Sequence, residues 1–195
     1  MILNNKELSI TKIDEDIYIF KDIISKEDAE KILNVCTNLQ QGQWNLPWSG
    51  NTGDYNWIWS NRFATTETLE SINSNISHEW KEIMNNVKKT IFSFLKKEYD
   101  VNGFGYVLRA RMNDKMEIHI DNNEDKNIKY GVILYFNDNY DGGEVFYSDL
   151  NKSIKPEARS LILHRADIGG LLWGEEFLQE SNQWIHTPPK CFVRY

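Results

Sequence analysis

The run of this sequence richest in chemistry is Glu117-Ile118-His119-Ile120-Asp121-Asn122. Side chains alternate between the two faces of a β-strand, so residues two apart point the same way. On a strand, the imidazole of His119 and the carboxylate of Asp121 can therefore converge on one point. One nitrogen and one oxygen donor make two corners of a metal site. The 2-His-1-carboxylate arrangement that suits non-haem Fe(II) then needs a second, distant histidine. Of the four histidines in the chain, the candidates are His164 and His186. The remaining one, His78, falls in a helical pattern without a partner motif and reads as a surface or cap residue. A lone His-x-Asp is common on surface strands, so its weight comes from the residues downstream of it.

Nine residues after Asp121 comes Tyr130-Gly131-Val132-Ile133-Leu134-Tyr135-Phe136-Asn137, then a turn at Asp141-Gly142-Gly143 into Glu144-Val145-Phe146. Lys155-Pro156-Glu157-Ala158-Arg159 leads into the apolar Ser160-Leu161-Ile162-Leu163, and Trp184-Ile185-His186 lies further on. This order resembles the 2-oxoglutarate- and Fe(II)-dependent dioxygenases, and within them the prolyl 4-hydroxylase-like branch. Members of that branch show His-x-Asp, a strand ending in Tyr-Leu-Asn or similar, a Gly-Gly-Glu turn, a Pro-containing turn before an apolar strand, and a distal His followed by a basic residue. The resemblance covers roughly residues 104–195 and extends more loosely over the helical half.

The resemblance implies Fe(II) held by His119, Asp121 and His186, with 2-oxoglutarate and O2 as co-substrates and ascorbate as a compatible reductant. The 2-oxo acid end of 2-oxoglutarate would chelate the metal, and its far carboxylate would need a buried cation on the strand after the distal histidine. Arg194 lies eight residues past His186, whereas the positions eight to ten past His164 are Leu172, Trp173 and Gly174. That difference favours His186 as the ligand and Arg194 as the carboxylate partner, with Lys190 next in line. It leaves His164 as a strand residue facing either the core or the pocket. Tyr135 matches the family tyrosine whose hydroxyl helps bind the same carboxylate, and period-two alternation puts it on one face with Ile133 and Gly131. Candidate substrate contacts are Arg109, Arg111, Trp57, Trp59 and His164. The implied reaction hydroxylates an unactivated C–H bond while 2-oxoglutarate is converted to succinate and CO2. The carboxylate of Asp121 favours hydroxylation over halogenation, because halogenases of this type carry a small residue there. The implied substrate is a prolyl residue of a peptide or protein, a free amino acid or another small molecule. Two rivals come from other classes. A cupin-like metal or 2-oxoglutarate sensor would bind without turnover, and a zinc hydrolase with the same ligands would work without O2 and leave Arg194 and Tyr135 without a role.

The elements that must position these residues are legible in the pattern of the rest. The chain has 195 residues, 41% hydrophobic and 13% aromatic with seven Trp, which suits one folded domain. Its net charge of −7, from 29 acidic and 22 basic residues, argues against nucleic acid as a partner. Two cysteines and a start without a signal-like segment point to the cytoplasm, and no apolar stretch approaches the ~20 residues that span a bilayer, so no membrane partner is expected. Ile17–Phe20 reads as a short strand. Ser25 caps a helix with an apolar face of Ala29, Ile32, Leu33, Cys36 and Leu39, which places Cys36 in a core, and Gly42 is expected to end it. Trp44, Trp48, Trp57 and Trp59 form either an aromatic strand pair or a substrate wall. A second helical pattern runs over 67–98, with a break near 73–75. Strands are expected at 104–111, 116–120, 129–136, 144–147, 160–164 and 191–195, with 165–183 as an inserted lid or edge. The fold class is α+β, with residues 1–195 as a single domain. Helices at 22–98 support a metal-binding β core at 104–195, and the resemblance makes that core a double-stranded β-helix, the cupin-like jelly roll, with the helices packed on one sheet.

Overall fold

The computed structural model describes residues 2–3, 6–39, 63–64, 74–97, 100–102, 107–110, 120–121, 127–140, 143–155, 157–168, 172–174, 184–187 and 192–194. In chain order these give β1 (Ile2–Leu3), β2 (Lys6–Glu7), β3 (Ser9–Asp14), β4 (Ile17–Lys21), α1 (Lys26–Asn38), β5 (Phe63–Ala64) and α2 (Ser74–Leu95). Then come β6 (Asp100–Asn102), β7 (Val107–Ala110), β8 (Tyr130–Tyr135), β9 (Glu144–Tyr147), β10 (Lys152–Ile154), β11 (Leu161–Arg165), β12 (Leu172–Gly174), β13 (Trp184–Thr187) and β14 (Phe192–Arg194).

The helices form where capping and apolar spacing agree. Ser25 has extended backbone, and its Oγ accepts the Asp28 backbone N–H at 3.0 Å, which satisfies one of the donors left open at a helix start. Ala29, Ile32 and Cys36 form the buried stripe of α1. The helix stops at Asn38, short of Gly42, which lies outside the described residues. The reason is local: Thr37 Oγ1 donates to the Leu33 carbonyl at 2.9 Å and Asn38 Nδ2 to the Asn34 carbonyl at 2.7 Å, so polar side chains compete for the last-turn acceptors. Leu39 then turns extended and buries itself. In α2, Trp80, Ile83, Met84, Val87 and Ile91 recur at helical spacing and are all buried. The helix begins at Ser74, within the expected break, and Lys96 leaves it with a left-handed φ of 54°.

A seven-stranded sheet runs β3-β4-β11-β8-β13-β7-β5, with every neighbouring pair antiparallel. A three-stranded antiparallel sheet runs β10-β9-β12, and β14 pairs with β6 separately. The two faces of the large sheet have different partners. Phe20, Val132, Leu134, Phe136, Leu161 and Leu163 pack with the apolar stripes of α1 and α2. Ile17, Ile133, Tyr135 and Ile162 pack on the opposite side with Val145, Tyr147 and Ile154 of the smaller sheet. The near-continuous apolar run of β8 has this cause, since a strand covered on both faces has no solvent side to carry polar residues. Each large side chain so buried contributes roughly 1.5–3 kcal/mol. At the rim, Lys152 of β10 reaches across to the Asp14 carboxylate and the Ile13 carbonyl, tying the small sheet to the β3–β4 turn.

The α+β order and the placement of helices on one face of a largely antiparallel sheet agree with the sequence reading. Ser9–Asp14 differs, being a strand ahead of the first one expected. Residues 172–174 form an edge strand on β9, the edge alternative of the two expected for 165–183. The strand Val107–Ala110 lies within the expected 104–111, the rest of which is outside the described residues. The expected strand at 116–120 and the tryptophans at 44, 48, 57 and 59 lie outside the described residues, apart from Ile120. No helix among the described residues is long and apolar enough to cross a membrane.

Candidate active site

The site is built on the inner face of β8, where alternation sets Gly131, Ile133 and Tyr135 toward the smaller sheet. Antiparallel register places His164 of β11 directly opposite Gly131. His164 is 1% exposed, and its Nε2 lies 3.5 Å from Oδ2 of Asp121, whose side chain is 10% exposed. Gly131 makes this approach feasible. A Cβ there would stand 2.3 Å from both Asp121 Oδ2 and His164 Nε2, and 2.5 Å from His164 Cε1. The glycine is needed here for space, because its φ is not positive.

Nδ1 of His164 lies 3.2 Å from the Arg165 carbonyl oxygen, which can only accept, so Nδ1 carries the proton. Nε2 faces the Asp121 carboxylate. Imidazole beside carboxylate in a buried site is a donor set that suits Fe(II). The residues present therefore fit a divalent metal.

Tyr147 of β9 closes the third side. It is buried, and its ring lies 5.7 Å from that of His164 in an edge-on arrangement with an interplanar angle of 64°. Burial, reinforced by the negative charge of Asp121, pushes its phenol well above the ordinary tyrosine value, so it stays protonated. Tyr135 behaves alike: burial first, then the neighbouring Tyr140 and Tyr147, raise it well above the usual range. A half-charged, half-phenolic lining thus sits between two apolar sheets.

The remaining candidate residues are placed by their strands. His186 lies on β13, opposite Tyr135 on one side and Leu108 on the other, so the positions of His186 and Tyr135 share a face. Four residues of β8 separate that row from the Gly131–His164 row, about 13 Å at the usual strand rise. Arg194 lies on β14 opposite Asp100 of β6. Arg109 lies on β7 opposite Ile185, two residues from Val107, which packs in the helix-side core, so its position is on the face away from Tyr135. His119, Arg111, Trp57, Trp59 and Lys190 lie outside the described residues. His78 is exposed and 3.5 Å from Glu82 one turn on, a surface pair. Cys36 is buried in the helix-side core. The structure thus draws together Asp121, Gly131, His164 and Tyr147. Motif reading of the sequence misses Tyr147; its signal is the alternation Glu144-Val145-Phe146-Tyr147 after the Gly-Gly turn, which sets Val145 and Tyr147 inward.

A helical layer covers one face of the large antiparallel sheet, and a smaller sheet covers the other beside the carboxylate and the histidine. No protein-family model matches the sequence, and no curated protein matches it. Among solved structures, the chain is similar to a viral collagen prolyl hydroxylase from Paramecium bursaria Chlorella virus-1 in complex with 2-oxoglutarate. The TM-score is 0.55 at 14% identity, over 89% of this chain and 93% of that one. It is also similar to a prolyl hydroxylase from Trichoplax adhaerens in complex with a hypoxia inducible factor oxygen degradation domain peptide fragment, with a TM-score of 0.57 at 16% identity, over 92% and 80%. A Pseudomonas putida prolyl-4-hydroxylase is similar too, with a TM-score of 0.50 at 13% identity, over 88% and 89%. At these identities the likeness is one of fold, and the fold is that of the prolyl hydroxylase structures.

Proposed function

We propose that this protein is an Fe(II)- and 2-oxoglutarate-dependent oxygenase that hydroxylates an unactivated C–H bond. In this reading it is prolyl hydroxylase-like, acts on a prolyl residue of a peptide or protein or on a free amino acid, and has a double-stranded β-helix as its core. The observation that carries the reading is Asp121, the carboxylate of the His-x-Asp motif, brought against His164 Nε2 over a glycine cradle between two sheets. The order of motifs in the sequence and the fold shared with prolyl hydroxylases support it, and the peptide-bound Trichoplax structure supports a peptide substrate.

His119, Asp121 and His186 would hold the metal, and Arg194 and Tyr135 the far carboxylate of 2-oxoglutarate. Bound iron supplies, with 2-oxoglutarate and O2, the oxidising power to break a strong C–H bond. The chain's own residues position and exclude. Tyr135 stays a neutral donor because burial opposes its ionisation. Ile133, Ile162, Val145 and Ile154 keep the inter-sheet space apolar, which strengthens each polar contact made there.

The test is succinate formation from 2-oxoglutarate with iron and O2, together with mass spectrometry of a proline peptide. Asp121→Ala and His119→Ala should each lower Mn²⁺ affinity by more than roughly 100-fold, above the usual cost of losing an outer-shell partner, and abolish succinate formation. Tight metal binding with no 2-oxoglutarate consumption would replace this reading with the sensor, and activity without O2 would replace it with the hydrolase. A second assignment of the third ligand rests on one observation, the 3.5 Å separation of His164 Nε2 from Asp121 Oδ2. Loss of Mn²⁺ uptake in His186→Ala but not in His164→Ala supports His186, and the reverse supports His164.

A further inference from the structure

One buried polar group beside the site has no part in the contacts assigned above to metal and co-substrate. Tyr147 is 0% exposed, and its hydroxyl makes no hydrogen bond among the described residues. Its ring is held edge-on against His164, and its phenol feels the charge of Asp121 without bonding to it. A buried hydroxyl without an acceptor is costly, and protein interiors rarely keep one. Its neighbours at the site, Asp121 and His164, are the pair over Gly131. Trp80 Nε1, a second buried donor without an acceptor among the described residues, sits in the helix-side core, remote from any charge the site would hold.

We propose that the Tyr147 hydroxyl is a hydrogen-bond donor to the carboxylate of the 2-oxo acid bound at the metal beside Asp121, and so a specificity-determining residue for the co-substrate. The inference rests on the oxygenase reading. A buried phenol suits the task for two reasons. A carboxylate entering next to Asp121 adds negative charge that a donor offsets. Among the described residues the hydroxyl has no competing partner to give up when that carboxylate arrives.

Tyr147→Phe removes the hydroxyl and keeps the ring on His164. The experiment loads wild type and variant with Mn²⁺ in the absence of O2 and titrates 2-oxoglutarate by calorimetry, with Mn²⁺ affinity and metal-free thermal unfolding measured in parallel. The expected result is a loss of 2-oxoglutarate affinity of about tenfold or more, the worth of one such hydrogen bond, with unchanged Mn²⁺ affinity and a metal-free melting temperature equal to or above that of wild type. Equal 2-oxoglutarate affinity in the two proteins overturns the proposal. So does a fall in Mn²⁺ affinity, which would assign the hydroxyl to the metal itself, or a clear drop in metal-free stability, which would assign it to the fold. If the wild-type Mn²⁺ protein takes up no 2-oxoglutarate, the oxygenase reading fails and this inference falls with it.

Discussion

Replacing Gly131 with alanine tests the site geometry most directly. A methyl group there would meet Asp121 Oδ2 and His164 Nε2 at 2.3 Å, against an ordinary contact of 3.4 Å or more, so 3.4 − 2.3 leaves at least 1.1 Å to be found. The strand itself is held by antiparallel pairing to β11 and β13 on its two sides, so the side chains must give. His164 is 1% exposed and packed against Tyr147, which leaves the Asp121 carboxylate as the group that yields. Overpacking of this kind costs about 1–3 kcal/mol. Backbone preference works the other way, because alanine is better than glycine inside a strand by roughly 0.5–1 kcal/mol. In the proposed site, a ligand oxygen moved by about 1 Å would be out of coordination, and misplacements of that size cost on the order of 100-fold at a working site. Gly131→Ala should therefore unfold at lower denaturant concentration and bind Mn²⁺ about 100-fold more weakly, by chemical denaturation and calorimetric titration. A variant with wild-type metal affinity and wild-type stability would mean that Asp121 and His164 do not meet over this residue, and the reasoning about the site would fail.

Ser25→Ala removes the acceptor of the Asp28 N–H and should cost about 1 kcal/mol, or roughly 2–4 °C in melting temperature for a chain of this size; an unchanged transition would mean the cap is not formed in solution. Acid sensitivity has a definite sign at Asp14. The hydrogen bond from Lys152 holds its carboxyl below the usual value of 3.8. A folded-state value below the unfolded one gives a stabilisation that is present above the unfolded value and is lost as pH falls through the folded one. The stability gap between wild type and Asp14→Asn should thus be constant above about pH 5 and close below about pH 4. A gap that persists in acid would assign the effect to packing.

Much of this arrangement is written in local pattern. Ser25 before Glu27 and Asp28, with apolar residues at helical spacing, specifies α1 without any tertiary partner. The period-two run of 130–135 between turn residues specifies a strand, and its apolar residues on both faces specify a buried one. His-x-Asp offers a candidate ligand pair because alternation of side chains is a property of any strand. The neighbour across the sheet is beyond the reach of local pattern. Ser9–Asp14 escapes it because its exposed, polar alternation becomes a strand only through pairing with β4, and residues 172–174 become an edge only by finding β9.

The same division holds at the site. By itself, the sequence determined which residue types are available for chemistry: one His-x-Asp, two further histidines late in the chain, a tyrosine on an inward face and a glycine before it. Only the tertiary structure decided that Gly131 is the floor on which Asp121 and His164 meet and that Tyr147 covers them. The physical reason is that antiparallel register is a long-range choice. Gly131 faces His164 because β8 and β11 share a ladder set by the burial of Ile133 against Ile162 and of Leu134 beside Leu161, and a slip of one residue would have turned all of these side chains to the opposite face.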